Sequence, residues 1–80
     1  MQGVETMTVT IDYFLDSERG SDTFRFAVRE DAQAKFLSLR AQVMAQLPPA
    51  TDDLELVDEP DFYGFLDRST GKYVRVFTME

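Results

Sequence analysis

Eighty residues make one domain, and a chain that short buries only about 60% of its unfolded surface, so its core is thin. With 44% hydrophobic residues, seven Phe and three Tyr, it has enough apolar material to fold, which excludes general disorder. A formal charge of −7 opposes direct contact with nucleic acid or an anionic membrane, and the absence of Cys and His removes thiolate and imidazole chemistry together.

A domain this small without cysteine points to a reducing compartment, because small secreted domains usually need disulfides. Met1 to Val9 holds neither the basic region nor the apolar stretch of a signal peptide. Apolar runs such as Tyr13-Phe14-Leu15 are far too short to span a membrane. The expected location is the cytoplasm. Residues 1–80 are read as one domain, with Met1 to Thr6 a polar, loose leader and Met7 a second candidate start.

From Met7 to Asp16 the chain alternates. Met7, Val9, Ile11, Tyr13 and Leu15 would share one face, and Thr8, Thr10, Asp12, Phe14 and Asp16 the other, which predicts a half-buried strand. Ser17 to Asp22 is polar and contains Gly20, so it reads as a turn. Thr23 to Arg29 alternates again, with Phe24, Phe26 and Val28 inward and Arg25 and Arg29 outward, completing a hairpin. Glu30 and Asp31 suit a helix N-terminus, where the dipole favours negative charge. Ala32 to Leu47 then has no Gly or Pro, and Ala32, Phe36, Leu39, Val43 and Leu47 form one apolar stripe. Leu37, Ala41 and Met44 make an adjacent line, expected to widen the face that covers the sheet, with Arg40 snorkelling. Pro48-Pro49 ends the helix. Leu54 to Val57 fits a short edge strand. Phe62 to Asp67 and Lys72 to Met79 read as a second hairpin across Arg68-Ser69-Thr70-Gly71, with Gly71 placed for positive φ.

The expected fold class is α+β: a small ββαββ(β) domain with a mixed or antiparallel sheet and one helix on one face. The element order is similar to that of β-grasp and protein-G-like folds, which implies that the first and last strands lie side by side in parallel. Both faces of the last hairpin are apolar, so the sequence leaves open which one the helix covers.

No catalytic or metal-ligating pattern stands out, and no cofactor is expected. Without His or Cys there is no Ser-His or Cys-His pair, iron–sulfur site or thiolate zinc site. Ser69-Thr70-Gly71-Lys72 lacks the upstream glycine and residue order of a P-loop. Carboxylate pairs need a cleft that separates their pKa values, and one helix on one sheet supplies little material for it.

Charge placement is the distinctive feature. Six acids and no base lie between Thr51 and Asp61, while elsewhere nine acids face eight bases. Asp52, Asp53, Glu55, Asp58, Glu59 and Asp61 admit three readings: a solvated edge that resists aggregation, a calcium site, which lacks EF-hand spacing and its glycine, and a docking surface for a basic protein partner. Aromatics give a second candidate surface. Phe14 faces away from the Met7–Tyr13 stripe, and Tyr73, Arg75 and Phe77 share a face. A sheet with one helix leaves one face uncovered, so Phe14, Phe77 and either Phe62 or Phe65 would be exposed together, as an interface or as half-exposed cross-strand pairs. A homodimer through this face is a further option.

These features predict a non-enzymatic, acidic protein–protein interaction module, a regulator, adaptor or inhibitor of a larger complex. In size and composition the chain is similar to phage-encoded inhibitors of host nucleases and CRISPR complexes, a resemblance that implies nucleic-acid mimicry as the alternative. A small carboxylate-dependent enzyme or metal-binding domain is the rival class.

Overall fold

Strict alternation from Met7 onward sends every second side chain to the same side of an extended backbone, and nine residues of strand β1 (Met7–Leu15) follow that pattern in the computed structural model, which describes residues 6–80. The expected leader, Met1 to Thr6, lies outside the described residues apart from Thr6. Strand β2 (Glu18–Phe26) folds back on β1, and helix α1 (Arg29–Ala45) leads to a meander of β3 (Leu54–Glu59), β4 (Phe62–Asp67) and β5 (Tyr73–Met79). The five strands form one antiparallel sheet in the order β2-β1-β5-β4-β3. The α+β class with one helix on one face is therefore as expected.

The expected parallel pairing of first and last strands is corrected. β1 and β5 are neighbours, but antiparallel, with Asp12 opposite Arg75 and Phe14 opposite Tyr73. Each tight hairpin reverses the chain. Three strands follow the helix where the protein-G-like order has two, and the extra reversal turns the last strand round.

The first turn is also corrected. It is the two residues Asp16 and Ser17, at φ 50° and 69°, the doubly positive geometry of turns whose twist matches a hairpin. Gly20 is thereby moved into β2, opposite Tyr13, whose ring lies where a Gly20 side chain would begin. Val28, expected inward, is exposed and caps the helix through its carbonyl, which accepts from the Asp31 and Ala32 amides. The helix starts earlier and stops earlier than expected, with Gln46 as its C-cap before Pro48. β3 runs two residues further than expected, to Glu59.

The core lies between α1 and one sheet face. Ala32, Phe36, Leu39 and Val43 from the helix meet Met7, Val9, Tyr63, Phe65, Val74 and Val76 from the sheet. This settles the ambiguity of the last hairpin: the helix covers the Val74–Val76 face, and Phe65 belongs to the core. Leu37 and Met44 do not widen the covering face; they are 52% and 45% exposed. The helix packs on β1, β2, β4 and β5, and it reaches β3 through the Arg40 side chain, which bonds Asp58. Among the described residues no helix is long and apolar enough to cross a membrane.

Candidate functional site

Antiparallel register places opposed residues on the same face, so the pairings define the uncovered face row by row. One row runs Arg19, Phe14, Tyr73, Leu66, Glu55 from β2 to β3. The next runs Ser21, Asp12, Arg75, Gly64, Val57, and the third Thr23, Thr10, Phe77, Phe62, Glu59. Phe14, Tyr73, Arg75 and Phe77 thus come together on this face, joined by Phe62.

The aromatics are half-buried and paired across strands. The Phe14 and Tyr73 rings lie 6.2 Å apart and tilted, and the Phe62 and Phe77 rings lie 6.0 Å apart and nearly parallel. Arg75 separates the two pairs. Its Nε and one terminal nitrogen both donate to the same Asp12 oxygen, at 2.8 and 2.5 Å. Its guanidinium also stands 5.5 Å from the Tyr73 ring centre. Beside it the surface dips at Gly64. A Cβ there would lie 2.5 Å from the Val74 carbonyl oxygen and 2.8 Å from the Arg75 Cα. Both atoms are backbone, so glycine is what lets β4 approach β5 this closely. A shallow trough of about 660 Å³ results, bordered by Val57, Phe62, Leu66, Tyr73 and Arg75. Glu55 is the one carboxylate among its lining residues, so the trough holds no carboxylate pair.

The acidic segment is divided by the fold. Glu55 and Glu59 point to the open face and Asp58 to the helix side, because β3 alternates. Asp58 accepts from Arg40 at 3.0 and 3.2 Å, and that guanidinium also covers the Tyr63 ring at 4.8 Å. Glu55 pairs with Arg68 at 3.4 Å. Arg68 also binds the backbone before β3, donating to the Asp52 carbonyl from its side chain and to the Asp53 carbonyl from its amide. Asp52 and Asp53 sit in the turn entering β3, and Asp61 in the turn leaving it. Among the described residues Asp52, Asp53, Glu59 and Asp61 make no ion pair. No three carboxylates among the described residues converge as a metal site requires.

β3 is exposed on both faces, with Leu56 51% and Val57 39% accessible, and among the described residues its outer edge has no neighbour. Sequence reading missed Asp12, Gly64, Arg19 and Arg25. The first two are tied to Arg75 only through cross-strand register, which alternation does not report. Arg19 lies inside the polar stretch whose composition predicts a turn. Arg25 was read as outward, but nothing in sequence showed that outward meant the aromatic face.

Asp67 ends β4 and braces the β4–β5 turn. The Ser69 hydroxyl donates to its carboxylate at 2.6 Å, and the Ser69 amide at 3.0 Å. These bonds favour the charged form and hold its pKa below the ordinary aspartate range, the hydroxyl contributing most. Gly71, at φ 78°, closes the turn, donating from its amide to the Asp67 carbonyl.

No protein-family model matches the chain, and neither curated sequences nor solved structures give a significant match.

Proposed function

We propose that the protein is a non-enzymatic interaction module acting in the cytoplasm, which presents β3 and the adjoining open sheet face to protein partners. One observation carries this reading. Among the described residues one helix covers the sheet, and it touches β3 through Arg40 on Asp58 while leaving Leu56 and Val57 exposed, so an acidic edge strand adjoins an uncovered aromatic face. An exposed edge is a template for an added strand. The acids repel an identical edge and attract a Lys/Arg-bearing one. Asp52, Asp53, Glu59 and Asp61 are the docking charges, with Glu55 and Asp58 partly neutralised by Arg68 and Arg40. Phe14, Tyr73, Arg75 and Phe77 serve as anchors.

The alternation of β3 favours plain docking over nucleic-acid mimicry. Mimicry asks for a one-sided row of free carboxylates, and here the acids divide between two faces and two turns. The lack of cysteine supports the reducing location.

The test is affinity capture with three baits: the native chain, one with Asn or Gln replacing the six acids, and one with Phe14 and Phe77 changed to Ser. The reading expects a partner held by the native bait and lost from at least one variant. Equal retention on all three, with each bait folded by circular dichroism, refutes it.

A further inference from the structure

The open face differs from the rest of this acidic protein in its charge. Its strands carry three arginines, Arg19, Arg25 and Arg75, against three carboxylates, Asp12, Glu55 and Glu59, with Arg68 reaching Glu55 from the border, so it has no net negative charge on a chain of net charge −7. The charges are also sorted by position. Arg75 and Asp12 neutralise each other at the centre. Arg19 and Arg25 lie on one edge strand, β2, and Glu55 and Glu59 on the other, β3. Among the described residues Arg19, Arg25 and Glu59 make no ion pair.

We infer that the open face is completed by a second copy of the same chain, packed sheet on sheet about a two-fold axis running along β5. The inference rests on the interaction-module reading and names the occupant of its aromatic face. β5 is the middle strand, so rotation about it lays β2 of each copy over β3 of the other. The row beginning at Arg19 ends at Glu55, which puts Arg19 opposite the second copy's Glu55 in both directions. The row beginning at Thr23 ends at Glu59. Arg25, two residues and about 7 Å further along β2, is the basic residue of that strand nearest to this carboxylate. The interface is isologous, as a two-fold dimer requires.

Area agrees. Five strands spaced about 4.8 Å apart, each contributing about seven residues at about 3.3 Å, present a plane of roughly 550 Å² per copy. Burying two such planes removes about 1,100 Å², above the threshold for a specific interface and at its weak end. The Phe14–Tyr73 and Phe62–Phe77 pairs supply the apolar centre. A basic partner gains no net attraction from a face without net negative charge and is expected at the β3 edge instead.

Sedimentation equilibrium of the full chain, from micromolar to near-millimolar concentration, tests this. The native protein is expected to approach twice the monomer mass. Arg19→Glu with Arg25→Glu, and separately Glu55→Arg with Glu59→Arg, should each weaken dimerisation about tenfold or more. Mixing these two variants should restore a dimer, because each then offers the complement of the other. All four positions are exposed or edge-placed, and circular dichroism confirms that the variants fold. A native chain that stays monomeric throughout, or a dimer that both charge reversals leave unchanged, overturns the inference. Neither result touches the module reading, which the three-bait capture decides separately.

Discussion

The two faces of the sheet are made by the same five strands and meet water differently. On the helix side the strands place Val9, Val74 and Val76 against Phe36 and Val43, all nearly inaccessible. On the other side they place rings and ion pairs that shield one another only halfway. A helix removes apolar surface from water completely, and the gain scales with the area removed. Cross-strand pairing covers the rings in part and leaves the rest for something else to cover. The lesson is that function in a domain this thin is to be sought on the face that folding left unfinished.

Substitutions should separate the faces, and the largest effect belongs to the covered one. Phe36→Ala empties the centre of the core and should cost about 3–5 kcal/mol in chemical denaturation; a loss under about 1 kcal/mol would mean that the helix is not the main roof. Gly64→Ala acts from the open face. It inserts a methyl against β5 backbone and should cost about 1–3 kcal/mol, with amide exchange in β4 and β5 accelerated more than in β1 and β2. A double-mutant cycle on Phe62 and Phe77 should give a coupling of about 0.5–1.5 kcal/mol. A value near zero would leave the two rings merely adjacent and the open face without organisation of its own. The smallest effect belongs to Asp67. Its native pKa is lowered, so the ionised group supports the turn at pH above the ordinary aspartate range, and that support is lost as pH falls through the native value. Asp67→Ala should therefore lower the melting temperature at neutral pH, and the difference from the native protein should close on acidification. A gap independent of pH would show that the Ser69 contacts are not electrostatic.

Much of this fold is legible in the sequence because period and punctuation agree. Met7 to Leu15 alternates, the helix stripe repeats every three or four residues, and Pro48-Pro49 and Gly71 mark breaks. What stayed hidden depends on contacts distant in sequence. Asp16-Ser17 carries no glycine, yet it forms the turn, because β1 and β2 gain a longer ladder if the polar stretch after it pairs as well. The direction of β5 depends on whether Leu54–Glu59 counts as a full strand. The acidic run, conspicuous in sequence, reads as one surface until β3's alternation divides it. The open face, by contrast, was half visible: Phe14, Tyr73, Arg75 and Phe77 were found together, but not the arginines that border them.

The position of β5 also has a kinetic consequence. It is the last of the five strands along the chain and the middle one in the sheet. The β1–β2 hairpin and the helix leave a ribosome well before it, and they have no central strand to close upon. Until Tyr73–Met79 is available, Val9 and Phe36 lack the valines that seal them, so the core cannot be completed before β5 joins. Joining β1 to β5 also closes a loop of nearly the whole domain, whose entropy must be lost before the contact is rewarded. Folding of this domain should thus be a single event, closed when β5 inserts between β1 and β4.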